Sequence, residues 1–586
     1  MNRKFTPIGT AAVALAIAAF AATDQYTARY PREAVARFAR TLNEISIHRA
    51  ARHDVSPRLV ASAVPDTRAG EGDDAGLELA VIPPGALAPP GADTAPTPPV
   101  PVITAPAGSR AVEQQAQGTR PGAELVASFD GLGYGFQGPQ GTGSFRNPSD
   151  NSLAVGPNHI VQIVNTRFAV YTKRGAMYDT TGKVLYGPVP TNEIFRGFGG
   201  ACEARPNGDA VVRYDQLANR WLIVMPIFRR IDDASHEPAA QLPGDSAHYA
   251  MCYAVSQGPD PMGPYYRYEF LRNLFPDYPR PAVWPDGYYV PTSSGDNVIQ
   301  KHACVADRAR MLEGKDATEQ CVIVDGVNFL NIADLDGPQV PAPGTPEIVM
   351  AAGGTQLHGI MEDSTISVWR LHVDWSNPAL TKLTGPVKIP VAPYHYLCDG
   401  QLSSCVPQPG TTRRLDAQGD KLMARLTYRR IGEQQSIVAV HSVNTTEGAG
   451  GVRWYEFRLD ARGDVSLYQQ GTYAPDSSYR WMGSAAMDGR GDIGIGYSFG
   501  GTPFYAGQRF AGRLAGDPKG QLTLGETVLA EGQAAQTNTL RWEDYTQTAV
   551  DPSDDCTIWY VGDYYQKGAP GYSSRIGAFR MGACAR

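Results

Sequence analysis

The sequence predicts an all-β protein: a single β-propeller, with seven four-stranded blades, preceded by a disordered N-terminal tail rich in Pro and Ala. Three observations support this fold class. A unit of apolar run, polar turn and second apolar run recurs along the chain. The copies follow one another at a similar spacing. With 63 Gly, 46 Pro and only 19% charged residues, the composition is typical of a protein dense in turns.

The clearest copy of the unit lies in residues 541–565. An apolar run ends at Val550, the turn Asp551-Pro552-Ser553 follows, and a second run begins at Ile558. Pro and Asp form such turns, while β-branched and aromatic residues fill strands. The residue before the turn is, in successive copies, Val155, Tyr214, Val283, Leu415, Met487 and Val550.

Subtracting these residue numbers gives spacings of 59, 69, 132, 72 and 63. The spacing of 132 equals two steps of 66, which predicts a degenerate copy near Ile348, Val349 and Met350. The period exceeds the usual ~40–50 residues of a blade, which indicates long loops. A strand at residues 125–129 is expected to pair beside residues 576–581, because a strand from one terminus often completes the last blade.

The chain divides into four parts. Residues 1–22 have the basic start, short apolar core and small-x-small end of a signal peptide. Residues 23–68 are a candidate propeptide with the spacing of an amphipathic helix, and residues 69–122 form a Pro/Ala/Gly-rich linker. The propeller occupies residues 123–586. We therefore expect a secreted protein, periplasmic or extracellular, without a transmembrane span in its mature form.

Eight cysteines support an oxidising compartment. Spacing does not determine their connectivity, and sequential pairing is the simplest hypothesis: Cys202–Cys252, Cys304–Cys321, Cys398–Cys405 and Cys556–Cys584. The net charge of −7 and the lack of a basic run argue against a nucleic-acid partner. We expect a monomer.

Several segments resemble a group of large secreted bacterial proteins of uncharacterised function. They are residues 277–289, residues 452–456 and residues 541–560, within a match over about residues 147–584. Members of that group carry Gly where this chain has Glu543. The resemblance implies no activity and no site residues. At the level of fold alone, the repeated units are similar to NHL-type and sialidase-type propellers.

Candidate functional residues precede the first strand of each repeat, since those segments should meet at one mouth of a central channel. Counting back from the turns selects acidic and aromatic residues. The candidate catalytic residues are Asp277, Asp544, Tyr278 and Tyr545. The candidate ligand-binding residues are Asp150, Asp209, Arg480, Trp481, Arg541 and Trp542.

Three interpretations of this acidic mouth remain open. The carboxylates could cap strands and join neighbouring blades. They could hold a Ca²⁺ ion, which prefers oxygen ligands. They could bind a glycan, with aromatic platforms, an arginine for an acidic sugar and paired carboxylates as acid and base. The predicted function is binding or degradation of an extracellular polymer, most plausibly a glycan, by a glycoside hydrolase or lyase. The alternative is a non-catalytic adhesion or scaffold propeller with a structural Ca²⁺.

Other residues have simpler interpretations. Asp416, Asp488 and Asp551 occupy one turn position and are expected to form turns. The tripeptide Arg490-Gly491-Asp492 spells an adhesion motif, but it lies in such a turn. His441 lies in an apolar run and is expected to be a core histidine. The sequence contains no HExxH, GxSxG, P-loop or Rossmann glycine pattern.

Overall fold

The computed structural model describes residues 45–60, 105–143, 145, 147–204, 206, 208–227, 249–294, 300–324, 326–354, 361–400 and 404–582. The predicted signal peptide, most of the predicted linker and Cys584 lie outside these residues. Throughout the described part, the chain is nearly all β-structure.

The strands are bounded as follows. Those of the N-terminal region are β1 (Ser46–Arg49), β2 (Arg52–Val55), β3 (Glu113–Gln114) and β4 (Glu124–Gly133). The next are β5 (Ser152–Val155), β6 (His159–Val164), β7 (Arg167–Thr172), β8 (Val184–Pro190), β9 (Val211–Asp215), β10 (Arg220–Ile227), β11 (Tyr249–Ser256) and β12 (Tyr265–Arg272). They are followed by β13 (Pro276–Asp277), β14 (Ala282–Trp284), β15 (Gly287–Ser294), β16 (Gln300–Ala306), β17 (Thr318–Ile323), β18 (Asn331–Asp336), β19 (Glu347–Ala352), β20 (Thr365–His372) and β21 (Lys382–Pro390).

The C-terminal strands are β22 (Ser404–Val406), β23 (Leu415–Asp416), β24 (Leu426–Ile431), β25 (Gln434–Asn444), β26 (Gly450–Leu459), β27 (Val465–Tyr473), β28 (Tyr479–Met487), β29 (Ile493–Gly501), β30 (Phe504–Arg513), β31 (Thr527–Ala530), β32 (Gln547–Val550), β33 (Ile558–Tyr564) and β34 (Ser573–Arg580). The α-helices of the described residues are single turns, α1 (Gly200–Ala204) and α2 (Arg308–Leu312). Short 3₁₀ turns occur at Ser109–Val112, Thr191–Phe195, Pro378–Leu380 and Leu397–Asp399. None of the helices in the described residues is long and apolar enough to span a membrane.

Successive strands form antiparallel meanders. One sheet has the order β5-β6-β7-β8, another β9-β10-β11-β12 and another β28-β29-β30-β31. In the third meander β14 pairs with β15, which pairs with β16 and then β17. The meanders β18 to β21 and β24 to β27 join because β18 pairs in parallel with β24, and with β3 at the edge beside β27 they form one nine-stranded sheet.

The first strands of the meanders are neighbours in a ring. Contacts run from β5 to β9, β14, β18, β24, β28 and β32, and β32 returns to β5. The cores lie between adjacent meanders. One core, for example, packs Leu153 and Ile160 of the β5 meander against Trp559 and Ile576 of the last one. Each sheet therefore buries its two faces against the preceding and the following sheet, as in a propeller.

Strand β4 completes the last sheet by pairing antiparallel with β34, with Ala127 opposite Ala578 and Phe129 opposite Ile576. This confirms the expected pairing between the N-terminal and C-terminal regions. Three predicted disulfides are also confirmed, namely Cys202–Cys252, Cys304–Cys321 and Cys398–Cys405. Cys556 is disulfide-bonded as well, but its predicted partner Cys584 lies outside the described residues.

Residues 45–60 do not form the expected amphipathic helix. They form β1 and β2, which extend two neighbouring meanders by pairing with β17 and β12. Asp54 pairs with the buried guanidinium of Arg267, with Nε to Oδ1 at 2.7 Å. The end of the predicted linker also packs on the sheets, since β3 pairs with β27. Three of the four apolar residues on which the helix was predicted, Val35, Phe38 and Leu42, lie outside the described residues, so that part of the prediction stays a prediction.

Two repeat units were wrongly placed. Met350 lies in β19, the second strand of its meander, whose first strand is β18. Leu415 lies in the two-residue strand β23, and the first strand of that meander is β24. Asp416 is therefore not a turn former. Asp488 and Asp551 are, because each accepts a backbone N–H two residues ahead, from Arg490 and Ser553, at 2.9 Å.

The structure also confirms the predicted turn at residues 490–492 and the predicted core position of His441. Arg490 lies in its predicted turn and forms an ion pair with Asp492 at 2.6 Å. His441 is fully buried and shares a hydrogen bond of 2.9 Å with the Tyr455 hydroxyl.

Candidate functional site

The segments that lead into the first strands β9, β14, β24 and β32 bring charged and aromatic side chains together at one end of the ring. We call this set the mouth cluster: Asp209, Asp277, Tyr278, Arg280, Asp416, Asp420, Lys421, Arg541, Asp544 and Tyr545. All its members are buried except Asp277 and Tyr278, which are half-buried. The cluster therefore meets solvent through these two residues.

A left-handed backbone residue recurs before several first strands. Asp150, Asp209, Tyr278 and Asp544 have φ values of 50°, 58°, 53° and 64°. Asp tolerates this conformation, whereas in Tyr278 it costs about 1–3 kcal/mol. By backbone conformation, Tyr278 is therefore the counterpart of Asp544 in its own repeat. The sequence analysis aligned Asp277 with Asp544, which is one residue too early in the chain.

Asp209 and Asp277 form an acid pair. Burial and the neighbouring Asp209 raise the pKa of Asp277 well above its ordinary value, and the Asp277 carboxyl donates a hydrogen bond to Asp209. Asp209 also accepts a hydrogen bond of 3.0 Å from the Tyr545 hydroxyl. Burial raises the pKa of Asp209, while Arg280 opposes that shift. Both shifts favour the protonated form of the pair, with Asp277 as the hydrogen-bond donor.

Asp544 belongs to a second acidic pair, which is bridged by an arginine. Arg541 donates from Nε to Asp544 Oδ1 at 3.0 Å, and its Nε lies 4.0 Å from Asp416 Oδ2. Burial and the charge of Asp544 raise the pKa of Asp416 to about 7. The sequence analysis placed Asp416 in a turn. Because the first strand of that repeat is β24, later in the chain than predicted, Asp416 lies before it and belongs to the mouth cluster.

Two cations of the mouth cluster were missed by the sequence analysis. The guanidinium carbon of Arg280 lies 3.2 Å from the ring centre of Tyr278 and 3.9 Å from that of Tyr545. Lys421 Nζ lies 4.3 Å from the ring centre of Phe329 and forms an ion pair with Asp420 at 2.9 Å. A pattern of X-Pro-Arg-Pro at residues 278–281 could have drawn attention to Arg280, because it immediately precedes β14.

Four other predicted site residues present no exposed side chain to a ligand, although the backbone N–H of Trp542 donates to Asp416 of the mouth cluster at 3.3 Å. Arg480 pairs with Asp476 and Glu526, at 2.9 and 2.8 Å, which lie in the segments that lead into β28 and β31. Trp481 and Trp542 are 0% and 1% exposed, with ring centres 6.2 Å apart, so neither ring can serve as a platform for a ligand. Asp150 is buried and accepts a hydrogen bond of 2.7 Å from Asn165.

A second charged group lies deeper among the first strands. Asp334 pairs with Arg213 at 2.9 Å and Arg425 at 2.7 Å, while Arg425 also pairs with Asp336 at 2.6 Å. A cavity of about 30 Å³ adjoins these residues and Gln547. It has room for about one water molecule. These charges join the first strands across the ring.

The structure leaves the predicted Ca²⁺ untested. Among the described residues, the groups of His, Cys, Asp and Glu close enough to share a metal comprise only Cys304, Glu319 and Cys321. Those two cysteines are bonded to each other. In the mouth cluster the carboxylates are interleaved with Arg280, Lys421 and Arg541, so their charges are already opposed without an ion.

A further acid pair lies between the last two sheets. Glu543 is fully buried and accepts hydrogen bonds from Gln508, at 2.9 Å, and from the backbone N–H of Asp563. Burial raises the pKa of Asp563 to about 7, although hydrogen bonds from Ser149 and Asn151 oppose the shift. Burial and the charge of Asp563 raise the pKa of Glu543 as well.

We therefore predict that the free energy of unfolding falls as the pH rises from about 5 to above 7. The folded protein retains protons on Asp563, Asp416 and Glu543 that the unfolded chain has already lost, so the stabilisation disappears as the pH passes the folded pKa values. Each unit of pKa elevation corresponds to about 1.4 kcal/mol. Urea unfolding across this pH range measures the slope.

The Asp563→Asn variant should flatten that pH dependence, because the amide does not ionise. Asp464→Asn is the matched control, since Asp464 is 54% exposed in its side chain. A stability profile that rises between pH 5 and 8, or an unchanged slope in Asp563→Asn, would contradict the assignment.

Comparison with known proteins gives distant likenesses only. No family model and no curated protein matches the chain, so the resemblance drawn from its motifs remains an expectation. Among solved structures, an ulvan lyase of a new polysaccharide lyase family has a TM-score of 0.36 and 11% identity, covering 74% of this chain and 94% of its own. A subtype N10 neuraminidase-like protein of a little yellow-shouldered bat isolate has a TM-score of 0.31 and 10% identity, covering 68% and 100%.

An exo-β-1,3-galactanase from Clostridium thermocellum has a TM-score of 0.28 and 9% identity, covering 75% of this chain and 87% of its own. Likenesses this distant carry no argument about the function of the chain. What the mouth cluster does is therefore inferred from its own geometry.

Proposed function

We propose that this protein is an exported, seven-bladed β-propeller that binds an extracellular glycan at the mouth cluster. The ring of first strands from β5 to β32, with β4 completing the last sheet, supports the blade count. The disulfides are compatible with an oxidising compartment outside the cytoplasm.

The observation that carries the glycan proposal is the convergence of Asp209, Asp277, Tyr278 and Tyr545. Three different meanders supply them, and Asp277 and Tyr278 reach solvent above a buried polar floor. Sugar recognition needs oriented hydrogen-bond donors and acceptors beside an apolar ring face. Asp277 supplies acceptor oxygens for sugar hydroxyls, and the half-buried Tyr278 ring supplies the face.

Glycan cleavage is a second candidate function, which the raised pKa of Asp277 favours because a general acid must hold a proton at neutral pH. The geometry favours binding over cleavage. Asp209 and Asp277 are in hydrogen-bond contact, whereas paired acids of glycosidases stand roughly 5–9.5 Å apart. The raised pKa of Tyr545, due first to burial, also disfavours its use as a base.

The decisive experiment is a panel of neutral and acidic polysaccharides tested for binding by affinity electrophoresis and for digestion by new reducing ends, with and without EDTA. We expect binding by the wild type and at least tenfold weaker binding by Asp277→Ala, because a lost hydrogen bond to a ligand corresponds to about 1–2 kcal/mol. Asp464→Ala is the control on the exposed surface.

Each outcome separates the candidates. New reducing ends that disappear in Asp277→Ala would establish cleavage. Binding without turnover would establish a binding propeller. A folded wild type that binds nothing across the panel would remove the glycan proposal and favour the scaffold alternative, in which EDTA lowers stability without changing ligand binding.

A further inference from the structure

Among the charged residues of the mouth cluster, Arg280 has the most side-chain atoms without a hydrogen-bond partner in the described residues. The residue is 3% exposed, and its guanidinium carbon lies in the corner between the rings of Tyr278 and Tyr545, whose planes are at 90° to each other. Burial alone would lower the pKa of Arg280, but Tyr278, Tyr545 and Asp209 raise it, so the guanidinium stays charged. A buried cation is thus held in place by two aromatic faces.

Some of the N–H donors of the Arg280 guanidinium form hydrogen bonds and others do not. Nη1 donates to the Pro279 carbonyl at 2.7 Å. Nε and Nη2 have no hydrogen-bond partner among the described residues. Tyr278 approaches the guanidinium over its ring face, so its hydroxyl forms no hydrogen bond of ordinary geometry with these atoms. Unsatisfied buried donors are costly and need an explanation.

The two unpartnered donors point to one class of ligand. Nε–H and Nη2–H lie along the same edge of a guanidinium and are parallel, which matches the two oxygens of a carboxylate or of a sulfate ester. Asp209 is the carboxylate that raises the pKa of Arg280, but it already accepts hydrogen bonds from Tyr545 and Asp277. Lys421 Nζ lies 5.1 Å from the ring centre of Tyr278 and adds positive charge on this side of the cluster.

We propose that Arg280 binds an anionic group of the ligand, a carboxylate or a sulfate ester, through Nε and Nη2, so that the mouth cluster selects acidic glycans over neutral ones. The proposal deepens the proposed function and rests on it for the polymeric nature of the ligand. Contact with the two tyrosine rings holds the guanidinium in place before the ligand arrives, which lowers the entropic cost of binding.

The test uses three polymers that share one backbone: dextran, carboxymethyl-dextran and dextran sulfate. The full chain is compared with Arg280→Lys, which keeps the charge and loses the paired donors, and with Arg280→Gln. We expect wild type to bind one or both charged polymers at least tenfold more tightly than dextran. Arg280→Lys should lose most of that preference, while Arg462→Gln, at an 81% exposed side chain, should keep it. Which charged polymer binds identifies the anion.

A second arm separates this inference from the proposed function. Thermal unfolding is followed with glucuronate, inorganic sulfate and neutral glucose, with circular dichroism confirming that each variant is folded. Stabilisation of wild type by an anion but not by glucose, absent in Arg280→Lys, would support the anion site even if no polymer binds. Equal binding of dextran and its charged derivatives would overturn the inference and leave glycan binding intact. No effect of any charged polymer or small anion on the wild type would also overturn it.

Discussion

Replacing Asp334 with Ala is expected to lower the free energy of unfolding by about 3–5 kcal/mol, the usual loss when one partner of a buried ion pair is removed. Asp334 is 3% exposed and receives Nε of Arg213 at 2.9 Å and Nε of Arg425 at 2.7 Å. It also accepts the backbone N–H of Val283 at 3.0 Å. The substitution would leave two buried guanidinium groups short of negative charge and would disconnect three neighbouring sheets.

Urea or guanidinium unfolding of the full chain measures this effect. Asp464→Ala is the matched control, because Asp464 pairs with Arg370 at 2.5 Å on the surface. The loss there should be about 0–1 kcal/mol, as for exposed pairs in general. Similar losses in the two variants would show that the group around Asp334 contributes no more than a surface pair.

Removing the Cys202–Cys252 disulfide by a double substitution to Ala is expected to cost about 4 kcal/mol of unfolding free energy in the loop-entropy relation. The bond connects α1 to β11 across a sequence separation of 50, and both cysteines are fully buried. The cost arises mainly in the unfolded chain, which gains conformational freedom when the loop is opened.

The Cys398–Cys405 disulfide provides the comparison. Its sequence separation is 7, so the same relation gives about 2 kcal/mol for the corresponding double variant. Unfolding midpoints of the two double variants, measured side by side, should keep this order. A larger loss for the shorter loop would show that local packing, rather than chain entropy, decides the contribution of these bonds.

Much of the fold could be predicted from local sequence. Turns such as Asp551-Pro552 are recognisable because Pro and Asp favour one backbone conformation, whatever surrounds them. Two first strands were misplaced, at Met350 and Leu415, because nearby apolar runs look alike. Only the contacts between sheets distinguish a first strand such as β24 from the two-residue strand β23.

The mouth cluster was predictable only in part. The acidic residues before the first strands recur along the sequence, and Asp209, Asp277 and Tyr545 do meet. No recurring sequence pattern points to Arg280, because its role depends on two tyrosines, at 278 and 545, that are 267 positions apart in the chain. The position of Trp481 fits the repeat spacing, but its side chain lies in the core, because spacing does not show which way a side chain faces.

The pairing of β4 with β34 has a consequence for biosynthesis. The partner of a strand at residues 124–133 is the strand at residues 573–580, the last strand of the described residues. The ring of sheets can therefore be closed only after the chain as far as residue 580 has emerged from the ribosome. Shortened products that end before residue 573 would keep an open strand edge on each side of the gap, which makes them candidates for aggregation and proteolysis.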